Sequence, residues 1–132
     1  MIALDTNVLV RYIVQDDPAQ ARAATKLIES ECSADEPGLV SSVTLCEPVW
    51  VLGRGYRTAK ERIVAVLRAI LSAEELQAED PELAWRALGL FESGPGDFAD
   101  YLVGVGNRSH GARTTYTFDR TASASDPFTL IG

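Results

Sequence analysis

The chain is poor in the side chains that staple or metallate small proteins: its 132 residues include two cysteines, Cys32 and Cys46, and one histidine, His110. The thiols stand in no Cys-x-x-Cys or Cys/His spacing, which excludes a disulfide framework and fits a reduced, cytoplasmic setting. A lone histidine with no nucleophile elbow and no acid partner in sequence reach excludes a serine or cysteine hydrolase triad, and His110 reads as a surface residue near a helix end. No apolar run approaches the roughly 20 residues of a membrane span, and no basic region precedes the first apolar segment, so neither anchor nor signal peptide is expected. There is no GxxxxGK[ST] loop, and Gly104-Val105-Gly106 falls within a predicted helix and not after a strand, so no dinucleotide fingerprint is present.

Positive charge is also scarce, with 12 Lys and Arg against 19 Asp and Glu and a net charge of -7. That balance argues against generic long-range attraction to nucleic acid without excluding a nucleic-acid substrate. The cations that exist are clustered: Arg54, Arg57, Lys60, Arg62 and Arg68 fall in one stretch. They read either as the solvated face of an amphipathic helix or as a strip contacting RNA phosphates.

What is present is a globular composition, 46% hydrophobic, on a chain long enough for one core. A single domain over residues 1–132 is expected. Residues 2–5 read as a strand, 8–14 as a short helix ending at Asp16-Asp17-Pro18, and Pro18 suits the first turn of a helix running to Glu31. A turn at Asp35-Glu36-Pro37-Gly38 precedes the strand Leu39-Val40. With Thr44 as N-cap, a helix over 45–52 would carry Pro48 where its missing N–H costs nothing. Residues 58–72 form the clearest amphipathic helix, Leu76 marks a short strand, and helices follow from Asp80-Pro81 and from Asp97 to His110-Gly111. Strands are expected at 114–118 and 128–131. Trp50, Trp85 and Tyr101 read as packing residues. Strands alternating with long helical segments predict an α/β fold, a mostly parallel central sheet with helices on both faces.

Four acids punctuate this pattern where strands end or helices begin: Asp5, Glu47, Asp100 and Asp119. In a parallel α/β sheet these positions lie along one edge, where ligands bind, so all four are expected to face one crevice. Two unit charges about 4 Å apart repel by roughly 4 kcal/mol at an effective dielectric near 20, so such a cluster asks for a cation. Hard carboxylate oxygens select Mg2+ or Mn2+, and the chemistry such ions support is phosphodiester hydrolysis. Each acid also has a structural role open to it. Asp5 can cap the following helix, Glu47 can close a Thr44-x-x-Glu47 capping box, Asp97 can cap the helix that carries Asp100, and Asp119 can sit in an exposed turn.

Met1-Ile2-Ala3-Leu4-Asp5-Thr6-Asn7-Val8-Leu9, Val43-Thr44-Leu45-Cys46-Glu47, Asp97-Phe98-Ala99-Asp100 and Thr117-Phe118-Asp119-Arg120, in that order, resemble the motifs of PIN domains, in particular the VapC-like ribonuclease toxins of type II toxin-antitoxin modules. The resemblance spans essentially the whole chain and implies a PIN-like three-layer fold and an endoribonuclease dependent on Mg2+ or Mn2+. It makes Asp5, Glu47 and Asp100 the central metal-binding acids and Asp119 a fourth, more variable one, with Asn7 and Asp97 supporting. It also implies a homodimer, an RNA substrate and a cognate antitoxin able to push a basic side chain toward the acids. Pro48, and the Gly104-Val105-Gly106-Asn107 stretch, depart from the family pattern.

Rival chemistries lack parts. A phosphatase with Asp5 as nucleophile needs an acid where the chain has Asn7, and a phosphate-receiver domain needs a late lysine, whereas the only lysines are Lys26 and Lys60. The non-enzymatic alternative is a PIN-like module that binds RNA or a protein without cleaving it.

Overall fold

The computed structural model describes residues 1–55 and 59–132, with the side chains of residues 54 and 55 left out. By its internal contacts the chain divides into two compact units, Met1–Pro81 and Glu82–Gly132. Among the described residues, no helix is long and apolar enough to cross a membrane.

The first unit opens with Ile2-Ala3-Leu4 lying parallel to residue 39. The expected strand is reduced to one bridge, Ala3 to Leu39, flanked by Leu4 N–H to Leu39 O at 2.9 Å and Leu39 N–H to Ile2 O at 2.8 Å. Helix α1 (Thr6–Val14) follows at once, two residues earlier than its apolar pattern suggests, because Asp5 caps it. It stops at Gln15, whose left-handed conformation (φ 60°) turns the chain out of the helix. Helix α2 (Pro18–Glu31) begins with proline in its first turn, as expected, and buries Ala21, Ala24 and Ile28.

Strand β1 (Gly38–Val40) pairs in parallel with β2 (Leu76–Ala78). Between them lie α3 (Ser42–Trp50), a π-helical turn at Val51–Gly55, and α4 (Lys60–Ser72). Helix α4 turns Ile63, Val64, Val66, Leu67 and Ile70 inward, which leaves Arg62 and Arg68 on its exposed face. Arg57 and the Arg54 side chain lie outside the described residues.

The start of α3 differs from expectation. Ser41, not Thr44, is the N-cap, its hydroxyl accepting from the Thr44 N–H at 3.1 Å. The helix therefore begins three residues earlier, and Pro48 stands inside it, where an N–H would have bonded the Thr44 carbonyl. The buried Pro48 ring packs in the core instead, and past Trp50 the helix widens into the π turn. The Thr44-Glu47 capping box does not form, which frees the Glu47 carboxylate for a partner elsewhere.

In the second unit, α5 (Pro81–Ser93, its first residue closing the first unit) and α6 (Phe98–Ser109) precede the parallel pair β3 (Thr115–Thr117) and β4 (Phe128–Leu130). Phe91 of α5 meets Phe98 of α6 edge to face, ring centres 6.1 Å apart. Gly104 has a packing reason. A Cβ there would come within 2.8 Å of the Phe128 ring, so helix and strand approach this closely only over glycine. His110 ends α6 on the surface, with Nδ1 2.8 Å from Gly106 O, and Gly111 (φ 97°) completes the stop.

Tyr101 is buried, as expected, but Trp50 and Trp85 are 53% and 40% exposed. On α3 the inner face belongs to Leu45, Pro48 and Val49, and on α5 to Ala84, Ala87 and Leu88. Each tryptophan sits one helical step off that face, a distinction that composition alone does not make.

Candidate active site

The first unit contributes Asp5, Asn7 and Glu47. Asp5 and Asn7 are exposed on either side of Thr6, which is only 4% exposed. Thr6 touches both acids. Its N–H donates to Asp5 Oδ1 at 2.8 Å, and its hydroxyl donates to Glu47 Oε2, also at 2.8 Å, from a residue 41 positions away. One buried threonine at the first position of α1 thus ties the N-cap acid to the acid on α3.

The second unit contributes Asp97, Asp100 and Asp119. Asp97 caps α6, accepting from the Phe98 N–H at 2.9 Å, as expected. Asp100 lies in the first turn of that helix, and burial pushes its carboxyl above the ordinary range, with the nearby charges of Asp119 and Asp97 pushing it further. A bond from the Asp97 backbone N–H works the other way. Asp119 is exposed and forms a turn just ahead of the 3-10 helix Ala122–Ala124, whose N-cap is Thr121. Its Oδ1 accepts from the Thr121 hydroxyl at 2.6 Å and from the Thr121 and Ala122 N–H groups at 2.8 and 3.2 Å. Those bonds, the hydroxyl's first, hold the Asp119 carboxyl below the usual range.

The loop leading into Asp97 is built around Tyr101. The tyrosine hydroxyl accepts from the Gly96 N–H at 2.8 Å and lies 3.5 Å from Ser125 Oγ, just past the 3-10 helix. A Cβ on Gly94 or Gly96 would strike that same hydroxyl, so Ser93-Gly94-Pro95-Gly96 closes over the phenol only with glycine at both places.

All five carboxylates are hard oxygen donors of the kind Mg2+ or Mn2+ takes. Asp5, Glu47, Asp97 and Asp119 each give one oxygen to the protein, while the other has no protein hydrogen-bond partner among the described residues. A cation beside Asp100 would favour its charged form against the burial and like charge that disfavour it. In donor chemistry the residues fit a dication. Among the described residues, however, no three His, Cys, Asp or Glu side chains stand close enough together to hold a metal ion.

The family model of the PIN domain matches residues 2–125. The chain belongs to the PIN domain family. It is also 26% identical over 120 residues to a VapC ribonuclease of Aquifex aeolicus (strain VF5), a match covering 91% of this chain and 88% of that protein. No solved structure gives a significant match. Membership fixes the α/β class expected from the alternation of elements, and the parallel pairs β1–β2 and β3–β4 among six described α-helices agree with it.

Within this PIN domain chain, reading by sequence missed Thr6. The signal was available: a hydroxyl residue directly after an acid at a strand-to-helix junction has its N–H and Oγ at the open end of the helix. Nothing in sequence spacing indicated that the hydroxyl would be satisfied by Glu47.

Proposed function

We propose that the two units work as one PIN domain over residues 1–132 and that the protein is a metal-dependent endoribonuclease, the toxin of a type II toxin-antitoxin module. Asp5, Glu47, Asp100 and Asp119 would hold Mg2+ or Mn2+, with Asn7 orienting the first acid and Asp97 supporting Asp100. The observation that carries the reading is the PIN-domain match over residues 2–125, to which is added a half-buried Asp100 whose carboxyl is pushed up by burial first and by the charges of Asp119 and Asp97 second. The likeness to a VapC ribonuclease along most of both chains supports the choice of RNA as substrate and of a cognate antitoxin as partner, and a homodimer is proposed with them.

When bound, the metal supplies a Lewis acid that makes water a better nucleophile near neutral pH and offsets charge on the phosphate. The chain's own residues supply position. Thr6 fixes the Glu47 carboxylate through Oε2 and the Asp5 carboxylate through Oδ1. Thr121 and Ala122 fix Asp119 through Oδ1, which leaves its Oδ2 to orient the attacking water. In the reaction, water oxygen adds to phosphorus, one P–O ester bond breaks, and the leaving oxygen departs as a hydroxyl with a proton that came from the water.

The test is cleavage of labelled single-stranded RNA by the purified protein with Mg2+, with Mn2+ and with EDTA, beside Asp5→Asn and Asp100→Asn. Fragments that need metal and both acids are expected. RNA that is retarded on a gel but never shortened would establish a binding module and refute the enzyme.

A further inference from the structure

The segment Arg113–Arg120 has a feature that neither the acids nor the core explains. It runs extended through β3 and carries two aromatic side chains into solvent, Tyr116 at 57% and Phe118 at 77% exposure. Rings of this size normally bury most of their surface, and a single exposed one is unremarkable, but two on one short segment are a patch. They stand two residues apart, Tyr116 within β3 and Phe118 at the bend that follows it. In the parallel register Tyr116 lies opposite Thr129, a small residue that leaves the ring open. The Ile131 N–H continues the ladder to Thr117 O at 2.9 Å, and Ile131 is itself 41% exposed.

Two further facts point to what covers the patch. The segment is bracketed by exposed arginines, Arg113 and Arg120, in a chain whose net charge is -7. It also ends on Asp119, so the Phe118 ring is attached to the residue beside a proposed site acid. Flat aromatic faces between cations, beside acids that act on phosphodiesters, match the surface that single-stranded nucleic acid takes: bases on the rings, phosphates on the guanidinium groups.

We propose that Tyr116 and Phe118 form a stacking platform for unpaired bases of the RNA, next to the site of cleavage. The proposal rests on the ribonuclease reading for its ligand. It makes single-stranded RNA the substrate class, because a base held in a duplex has no free face to offer. Phe118 takes the base nearest Asp119, and Tyr116 takes the next.

The test separates binding from cleavage by measuring both. Affinity for a labelled 20-nucleotide single-stranded RNA is measured by fluorescence anisotropy in the Asp100→Asn background, with a duplex of the same sequence as competitor. Phe118→Ala is expected to weaken binding about 5- to 100-fold, and Tyr116→Ala by less. Phe118→Trp should keep the parent affinity, whereas Phe118→Leu, apolar but not flat, should behave like Phe118→Ala. The duplex should compete poorly. Equal affinity of the alanine, leucine and parent proteins would overturn the proposal, as would a change in oligomeric mass by light scattering with RNA affinity intact, which would make the patch an interface between copies. If the protein with its natural Asp100 cleaves nothing while binding keeps its dependence on Phe118, the ribonuclease reading falls and the platform stands. If no single-stranded RNA binds at all, both fall.

Discussion

In the first unit Asp5 and Glu47 both lean on one residue, Thr6, whereas in the second Asp100 sits in the field of Asp97 and Asp119. The first arrangement is one of neutral donors and needs nothing further to be stable. The second sets like charges against a half-buried acid: Asp97 and Asp119 are held by backbone and hydroxyl donors, and at Asp100 the bond from the Asp97 N–H is outweighed by burial and by its acidic neighbours. Acids held in the first way keep their geometry with or without a ligand. Acids held in the second way gain most from a cation, so the second unit is where binding energy should be felt.

Five experiments bear on that contrast, and the largest effect is on catalysis. Asp5→Asn and Asp100→Asn should each abolish RNA cleavage with the fold retained by circular dichroism, and full activity in either would remove that residue from the site. Thr6→Val keeps shape but deletes the donor to Glu47. A loss of roughly 10- to 100-fold in kcat/KM is expected, as for residues that orient metal ligands, with recovery in Thr6→Ser. No loss in Thr6→Val would mean that Glu47 needs no orienting.

Smaller effects concern the scaffold. Gly104→Ala should destabilise the protein by about 1–3 kcal/mol in urea unfolding because the new methyl meets the Phe128 ring. Gly106→Ala, with open space beyond it, should stabilise α6 by up to about 1 kcal/mol. If the two glycines respond alike, the close approach of α6 to β4 is wrong. Asp5→Ala should cost about 1 kcal/mol through the lost cap of α1, while Asp5→Asn, an equal capper, should cost almost nothing.

Asp100→Asn should shift stability in the opposite sense. Its folded pKa lies above the unfolded value, so its favourable contribution is complete at pH below the unfolded pKa and is lost as pH rises through the folded one. The ionised form is therefore a burden at neutral pH. Asp100→Asn should melt higher than the parent at pH 7 in EDTA, and the difference should shrink at acidic pH. A thermal melt that falls at pH 7 would show that Asp100 is not crowded, and the contrast between the units would dissolve.

Much of the scaffold was legible because its signals are local. Pro18 opens α2, the apolar stripe of α4 holds, Asp97 caps α6, and both C-terminal strands fall within their expected runs. Where two signals compete within a turn, local reading failed. Ser41 and Thr44 both suit an N-cap, and the choice between them decided whether Pro48 was harmless and whether Glu47 was occupied. The strand at 2–5 shrank to one bridge because Asp5 starts α1 immediately. The helix-starting roles of Asp5 and Asp97 were legible, yet the partners of the proposed site acids were not. The Thr6–Glu47 bond joins residues 41 apart, and the burial of Asp100 within reach of the Asp119 charge depends on packing that no spacing encodes.

The phenol of Tyr101 has a consequence for how the second unit tolerates change. One oxygen atom serves as the mould for the bend that precedes Asp97 and also stands near the chain that follows Asp119. Variation at 94 or 96 would drive a methyl against this buried phenol, lowering the melting temperature and disturbing the aim of the Asp97 carboxylate together. On the proposed function, loss of activity is thus expected from a loop that contributes none of the proposed site acids.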